Sequence, residues 1–378
     1  MKFFHLSDLH LGKTVHEFSL LEDQEHILRA ILVAADERKP DAVLISGDVY
    51  DRSVAPSDAL ALFDDFLVEL ARRNIKVFII SGNHDSAERL AFAARLLSDS
   101  GIFIAPAYEG KLTCVTVNDE HGEIDIYLLP FIRPNMVRRH FPDRKIETWT
   151  DAVRAALSGV VLTAGRRSVL LAHQFVTGGE TSESEEFSVG GADNVDANVF
   201  SGFDYVALGH LHKAQMIGAD TLRYCGTPIK YSFSEANHVK SICEVELKEK
   251  GQVLISTLPL SPLRDMKVLK GTYMELTDKA FYDALDLEHY YKIILTDEEN
   301  QPNALQKLRL IYKRLMRLEY DNLRTRTQGF LAPSGDTREL SPLELFEKLY
   351  REQNGQGLSE EQKNYLSGKI EAIWEAEE

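Results

Sequence analysis

The sequence predicts an α/β fold with a mixed sheet, on three observations. Short β-branched runs alternate with helical stretches through roughly the first 260 residues. Later strand-like runs then follow one another with no helix between them, which makes the sheet mixed rather than wholly parallel. Polar residues stand directly after several apolar runs, where an α/β sheet has its ligand crevice.

In chain order, Lys2–Leu6, Ala42–Ser46, Lys76–Ser81 and Ile102–Ala105 are the first strands. Ile124–Pro130, Ser168–Ala172 and Tyr205–Gly209 continue the set, and Leu222–Cys225, Ser241–Leu247 and Val253–Leu258 close it. Glu22–Glu37, Ser57–Arg73 and Ala87–Ser98 carry helical patterns between them. Two prolines in PLSPLR (259–264) interrupt the pattern and mark a domain boundary. Beyond it Val268–Leu276, Lys279–Leu285, Tyr290–Leu295, Ala304–Leu318 and Tyr320–Thr325 read as a small β-α-β-α-β module. A second break, APSGD (332–336), precedes an acidic helical tail. In it Ser341-Pro342 opens a helix with Leu343, Phe346, Leu349 and Tyr350 on one stripe. Another helix runs from Ser359 to Trp374. The expected domains are 1–262, 263–331 and 332–378.

Hydrophobic residues at 44% and charged residues at 27% exclude global disorder. No apolar run is long enough for a transmembrane helix, and the start (MKFFHLSDLH) does not read as a secretory signal, so no membrane role is expected. Three widely spaced cysteines make neither a disulfide framework nor a CxxC pair, which fits a reducing cytoplasm. The 43 Lys and Arg against 59 Asp and Glu leave a net charge of −16. A chain this acidic binds nucleic acid only through metals, a local basic element or a partner.

The chemistry sits at the strand ends. Asp8 and His10 follow the first strand (HLSDLHLG), Asp48 the second (VLISGDVYD), and Asn83 and His84 the third (FIISGNHD). His173 follows a later one (VLLAHQF), and His210 and His212 follow YVALGHLH. Carboxylate, amide oxygen and imidazole suit manganese, iron or zinc, and the lack of thiolate argues against a structural zinc. Asp8, His10, Asp48, Asn83, His173, His210 and His212 exceed what one ion requires, and two divalent ions sharing a carboxylate fit the count. Such pairs activate water for in-line displacement at phosphorus, so the expected reaction is phosphoester hydrolysis.

The motif order DxH, GDxxD, GNHD, H, GHxH resembles the calcineurin-like metallophosphoesterase superfamily over residues 1–260. GGETSESEEFSVGGADNVD (178–196), FDYVALGHLHKAQ (203–215) and YCGTPIKYSFSEANHVK (224–240) are similar to the SbcD family of bacterial nucleases. PLSPLRDMKVLKGTY and SPLELFEKLY extend that resemblance over essentially the whole chain. It implies a mixed β-sandwich flanked by helices, with a small α+β cap domain and a C-terminal helical tail. It also implies Mn²⁺-dependent exonuclease and endonuclease activity on DNA, an SbcC-like ATPase partner that the tail would dock on, and a homodimer. Asp8, His10, Asp48 and His212 would hold one ion, and Asp48, Asn83, His173 and His210 the other. A free-standing phosphatase or phosphodiesterase on the same fold is the alternative.

The resemblance makes His84 the catalytic histidine, and Asp51 could orient it by accepting from its other ring nitrogen. Archaeal and eukaryotic relatives usually carry histidine at the Asp51 position; Asp51-Arg52 instead resembles the GDxxDRG of serine/threonine phosphatases. Arg52 is then a phosphate contact or an ordinary surface arginine. His5 reads as core, and His16 as a neighbour of the first motif. The acidic stretch Glu180–Glu186 reads as a solvated loop in preference to a cation site. Lys307, Lys313, Arg314 and Arg317 fall on one side of the expected helix over Ala304–Leu318, as a DNA or ATPase contact or as a solvated face. The apolar excess in Ser57–Arg73 and Ala87–Ser98 (Leu60, Leu62, Phe63, Phe66, Leu67, Leu90, Phe92) agrees with a dimer.

Overall fold

Residues 1–185, 193–299, 301–322, 325, 342–354 and 357–375 are described by the computed structural model. They fall into two compact units, Met1–Val268 with Glu288–Lys292, and Leu269–Leu287 with Ile293–Glu378.

The first unit is built on two six-stranded sheets. One runs Val253–Pro259, Ser241–Leu247, Lys2–Leu6, Ala42–Ser46, Lys76–Ile80, Ile102–Ile104 in space. Its last four strands are parallel, and Ser241–Leu247 lies antiparallel beside Lys2–Leu6. The other runs Gln215–Ile217, Ala219–Tyr224, Tyr205–Gly209, Arg167–His173, Gly122–Leu129, Thr113–Asp119, with four parallel strands between two antiparallel edges. Phe3, Leu44 and Phe78 of the first meet Ile126, Leu128, Val169 and Ala207 of the second in one buried layer. The sheets therefore form a mixed sandwich. Strands such as AVLIS are buried along their whole length, which is why they are apolar without alternation.

On its other face the second sheet buries Leu170, Ala172, Val206 and Leu208 against Val153 and Ala156 of the helix Trp149–Leu157. That helix and the strand Thr113–Asp119 were not legible in the sequence. Thr148 and Asp151 close a capping box at the helix start, but the helix is only nine residues long. The strand is an edge with half-exposed residues and no clear apolar run. The helices Leu21–Arg38 and Ser57–Arg72 pack on one another and bury Ile27, Ile31, Phe63, Phe66 and Leu70.

Ala87–Ser98 is not one helix. Ala93 takes a left-handed φ of 59° and splits it into Ala87–Leu90 and Ala94–Leu97. The break leaves Phe92 81% and Leu96 76% exposed.

Beyond the sandwich, Met266–Gly271, Tyr290–Leu295 and Leu315–Tyr320 form a three-stranded sheet in that order. The β-α-β-α-β order holds, with two short helices (Tyr273–Thr277 and Lys279–Tyr282) in the first crossover. The expected basic helix does not. Its helix covers only Ala304–Ile311, because Tyr312 leaves helical geometry, is buried, and donates its hydroxyl to the Leu276 carbonyl at 2.8 Å. Lys307 stays on the helix, Lys313 and Arg314 fall in the following turn, and Arg317 sits on the strand beside Glu319 at 2.6 Å. The four cations share no helical face. The strand expected over Tyr320–Thr325 ends at Tyr320, and Arg324 and Arg326 lie outside the described residues.

The tail forms helices Pro342–Asn354 and Glu360–Glu375, tied by a Lys363 to Glu347 ion pair at 3.0 Å beside a hollow lined by Phe346, Tyr350, Leu358, Tyr365 and Leu366. Leu343 is half-buried, Phe346 is exposed, and the Leu349 side chain lies outside the described residues. Among the described residues no helix is long and apolar enough to cross a membrane.

Candidate metal centre

Register brings the strand ends together. Leu6 pairs with Ile45, Ser46 with Ile80, and Gly209 with His173, so three parallel strands of one sheet finish level with one another, as do two of the other. Asp8 and His10 are tied to the next loop by backbone bonds to Gly47 O (3.0 Å) and Asp48 O (2.9 Å). Glycine stands before Asp48, Asn83 and His210 because these loops nearly touch. A Cβ on Gly82 would strike the Asp48 carboxylate, and one on Gly209 would strike the Ser46 carbonyl. The turns are tight enough that Asp8 (φ 53°), His10 (42°), Asp48 (48°) and His210 (108°) all adopt positive φ. Each such residue costs on the order of 1–3 kcal/mol, strain of the kind that clusters at functional sites.

All seven expected ligands converge. His10 Nε2 lies 3.2 Å from His212 Nε2 and 3.7 Å from Asp48 Oδ2, and the ligand atoms of Asp8, His10 and His212 lie within 4.8 Å of one another. On the other side, Asn83 Oδ1 is 3.0 Å from both His173 Nε2 and His210 Nδ1, and Asp48 Oδ2 is 3.4 Å from His173 Nε2. Two ligands about 2.1 Å from one ion sit about 3.0–3.4 Å apart in octahedral or tetrahedral geometry, so both clusters have metal-site spacing. Asp48 belongs to both. Asp8 also groups with Asp48 and His173, and His84 with His10 and Asp48, as sets able to hold an ion.

The donor chemistry fits cations. His173 Nδ1 donates to the Ser46 carbonyl at 2.8 Å, which aims Nε2 at two acceptor oxygens, Asn83 Oδ1 and Asp48 Oδ2, where a proton in the metal-free chain holds the place of a cation. Burial lowers the His173 pKa, and the Asp48 carboxylate more than reverses this, to about 9. Burial also pushes Asp48 upward, but His173, His10 and His84 outweigh it and hold the carboxyl well below its usual range. Burial drives three other groups toward the neutral form: Asp8 upward, His10 well down, His210 down to about 3. A neutral imidazole is the form that binds a metal.

His84 is the site histidine that reaches the surface, with its side chain 14% exposed and Nε2 4.0 Å from Asp48 Oδ2. Its backbone N–H donates to Asp48 Oδ1 at 2.9 Å. Its Nδ1 meets the Asp51 backbone carbonyl at 3.0 Å, not the Asp51 carboxylate. That carboxylate is taken by Lys13 at 2.5 Å and also faces His10 Nδ1 at 3.7 Å. Asp51 thus orients His84 through its main chain, a role that any residue type could fill. Arg52 lies at the rim with a 79% exposed side chain, 3.7 Å from Asp51. His16 is exposed and stacks on Phe233 at 6.4 Å, while His5 is a core residue bonded to Tyr205 at 2.9 Å.

Several supports escaped the sequence reading. Asp85 accepts from Gly82 (2.9 Å), Tyr50 (3.0 Å) and Val49 (3.1 Å), lacing the second and third motif loops together. Burial and the nearby Asp48 raise its pKa to about 6. Gln24 donates to His10 O at 2.7 Å and accepts from Gly12 N at 2.9 Å, fixing the first loop from a helix. Only Asp85 had a visible signal, since it closes GNHD.

A model for calcineurin-like phosphoesterases matches residues 1–214. A model described as the type 5 capsule protein repressor C-terminal domain matches residues 262–354. The SbcD component of the nuclease SbcCD from Staphylococcus epidermidis is 31% identical over 325 residues, 84% of this chain and 85% of that protein. Its counterpart from Staphylococcus saprophyticus is 33% identical over 325 residues, 84% of each chain. Among solved structures, a dimetal phosphatase from Danio rerio matches with a TM-score of 0.39 and 12% identity, over 68% of this chain and 98% of that one.

Proposed function

This chain belongs to the calcineurin-like phosphoesterase family and, within it, to the SbcD nucleases, and from that membership we propose a two-ion, Mn²⁺-dependent DNA nuclease. The observation that carries the reading is the meeting of seven oxygen and imidazole groups, with no thiolate, at the ends of five strands. The enzyme is a metal-dependent phosphodiesterase. Bound ions supply Lewis acidity at phosphorus and activate water. Around them the chain contributes Asp48, facing both clusters, and His84, whose Nδ1 is fixed on a carbonyl so that Nε2 meets the scissile phosphate or leaving oxygen.

The proposed activities are exonuclease on duplex ends and endonuclease on single strands or hairpins, in the cytoplasm, with an SbcC-like ATPase. An acidic chain whose Lys307, Lys313, Arg314 and Arg317 share no helical face depends on that partner for duplex affinity, because phosphate contacts supply most of it. The tail helices are the proposed ATPase-docking element. Phe346 and Tyr365 keep exposed apolar surface on them. The decisive assay uses Mn²⁺ with single-stranded DNA, linear duplex and a bis-aryl phosphodiester, with and without the ATPase and ATP. Single strands are cut by the chain alone, and duplex ends only with the partner and ATP. Turnover of the small diester with no cleavage of DNA in any condition identifies a free-standing phosphodiesterase instead.

A homodimer is proposed on Leu60, Phe92 and Leu96. Leu60 and Phe92 are exposed on a 650 Å³ hollow that also takes in Val54, Phe63 and Leu67, and exposed Leu96 lines a neighbouring hollow that shares Phe92. Light scattering at micromolar concentration is expected to give a dimer that Phe92→Glu converts to a monomer. A monomeric wild type argues against it.

A further inference from the structure

We propose that Ser184 and Glu185, in the acidic loop ETSESEE, are positioning residues that clamp His212 in its metal-binding orientation. The inference rests on the two-ion reading and extends it to a loop that the sequence suggested was merely solvated.

Its described residues, Glu180–Glu185, are tied down on the site side, and Glu186 lies outside the described residues. Glu180 pairs with Lys213, and its backbone exchanges two bonds with the Gln215 side chain at 2.7 and 2.8 Å. Glu183 N donates to Ser234 Oγ at 3.1 Å. These anchors flank His212 on one side and Glu235 on the other, and Ser184 bridges the two.

Ser184 Oγ lies 2.7 Å from His212 Nδ1 and 2.6 Å from Glu235 Oε1. Glu235 is fully buried and ion-paired with Lys240 at 2.5 Å, so its carboxylate can only accept. Ser184 must then donate to Glu235 and accept from His212 Nδ1–H. That single proton arrangement leaves His212 Nε2 bare, and Nε2 is the atom facing His10 Nε2 at 3.2 Å. Glu235 cannot do this alone, since its oxygen is 3.6 Å from Nδ1, beyond hydrogen-bond range.

The backbone of His212 is gripped as well. Its N–H donates to Glu185 Oε1 at 2.6 Å, and its carbonyl accepts from Lys240 at 2.9 Å. The holds on the His212 ring nitrogen Nδ1 and on its N–H thus come from the loop, while Lys240 and Thr227 N hold its carbonyl. His173 differs, because its ring is fixed by a strand carbonyl inside the sandwich. The His173 ring is therefore set by the sheet, and the His212 ring depends on loop residues.

The test is calorimetric titration of Mn²⁺ into the metal-free full chain, comparing wild type, Ser184→Ala and Ser184→Thr. Wild type binds two ions. Ser184→Ala is expected to weaken one of them by about 10–100-fold, the usual effect of removing a ligand's hydrogen-bond partner, and to leave the other and the metal-free Tm unchanged. Ser184→Thr keeps the hydroxyl and restores the lost affinity. Unchanged affinities in Ser184→Ala overturn the proposal while the two-ion reading stands. Equal weakening of both ions with a lower metal-free Tm also overturns it, since the loop then supports only the fold. A wild type that fails to bind two ions sinks the two-ion reading, and the clamp with it.

Discussion

Asp48→Ala is expected to empty both ion positions and to take phosphodiester cleavage below detection. The carboxylate is the group common to both clusters, with Oδ2 3.7 Å from His10 Nε2 and 3.4 Å from His173 Nε2. Folding should survive. Asp48 lies beyond a strand end, and its partners are imidazoles that can shed a proton, so no unpaired buried charge remains. The readout is metal content together with the rise in Tm that Mn²⁺ produces, about 2.7 kcal/mol of stabilisation per ion at 100 times Kd. That rise should vanish in the variant. Asp48→Asn keeps an acceptor for the His84 N–H, bonded at 2.9 Å, and so separates loop geometry from charge. It too should lose metal.

The same substitution has a pH signature in the chelated protein. The His173 pKa is raised from 6.5 to about 9, so its pairing with Asp48 stabilises the fold fully below 6.5 and is lost as pH rises through 9. The gap in metal-free Tm between wild type and Asp48→Ala should narrow across that window. Full activity in the variant, or an unchanged Mn²⁺ effect on Tm, would sink the two-ion reading.

The candidate ligands could be found in the sequence because the fold is periodic where they sit. A strand buried on both faces reads as an unbroken apolar run, and the first polar residues after it mark the carboxyl edge. Five such edges deliver Asp8, Asp48, Asn83, His173 and His210. What could not be read has two physical causes. Ser184, Glu235 and Gln24 act on the ligands across long sequence gaps or through backbone atoms, and no spacing rule reports either. Elements whose identity depends on tertiary anchoring were misjudged. Tyr312 ends a helix by burying its ring and bonding Leu276, and Leu315–Tyr320 becomes a strand because a sheet edge is there to receive it. Ala93 broke a helix with no Gly or Pro to announce it. Asp51 shows a subtler limit: it lies beside His84, but its carbonyl and not its carboxylate makes the contact.

His84→Ala is expected to retain both ions and to lose about 10²-fold or more in kcat, the scale of a positioned acid or base. The geometry separates His84 from the seven converging groups in three ways. Its ring is partly exposed, whereas His10, His173, His210 and His212 are buried. Its Nδ1 is committed to the Asp51 carbonyl at 3.0 Å, leaving Nε2 on the open side of the centre. It packs edge-on against the His10 ring at 4.8 Å, so the ring is held in place without being inside either cluster. Its Nε2 is nevertheless only 4.0 Å from Asp48 Oδ2, and with His10 and Asp48 it could hold an ion. Metal stoichiometry decides between the roles. Two ions bound with cleavage lost make His84 a group that meets the phosphate. One ion bound makes it a ligand, and the allocation of residues to the two clusters must then be redrawn around it.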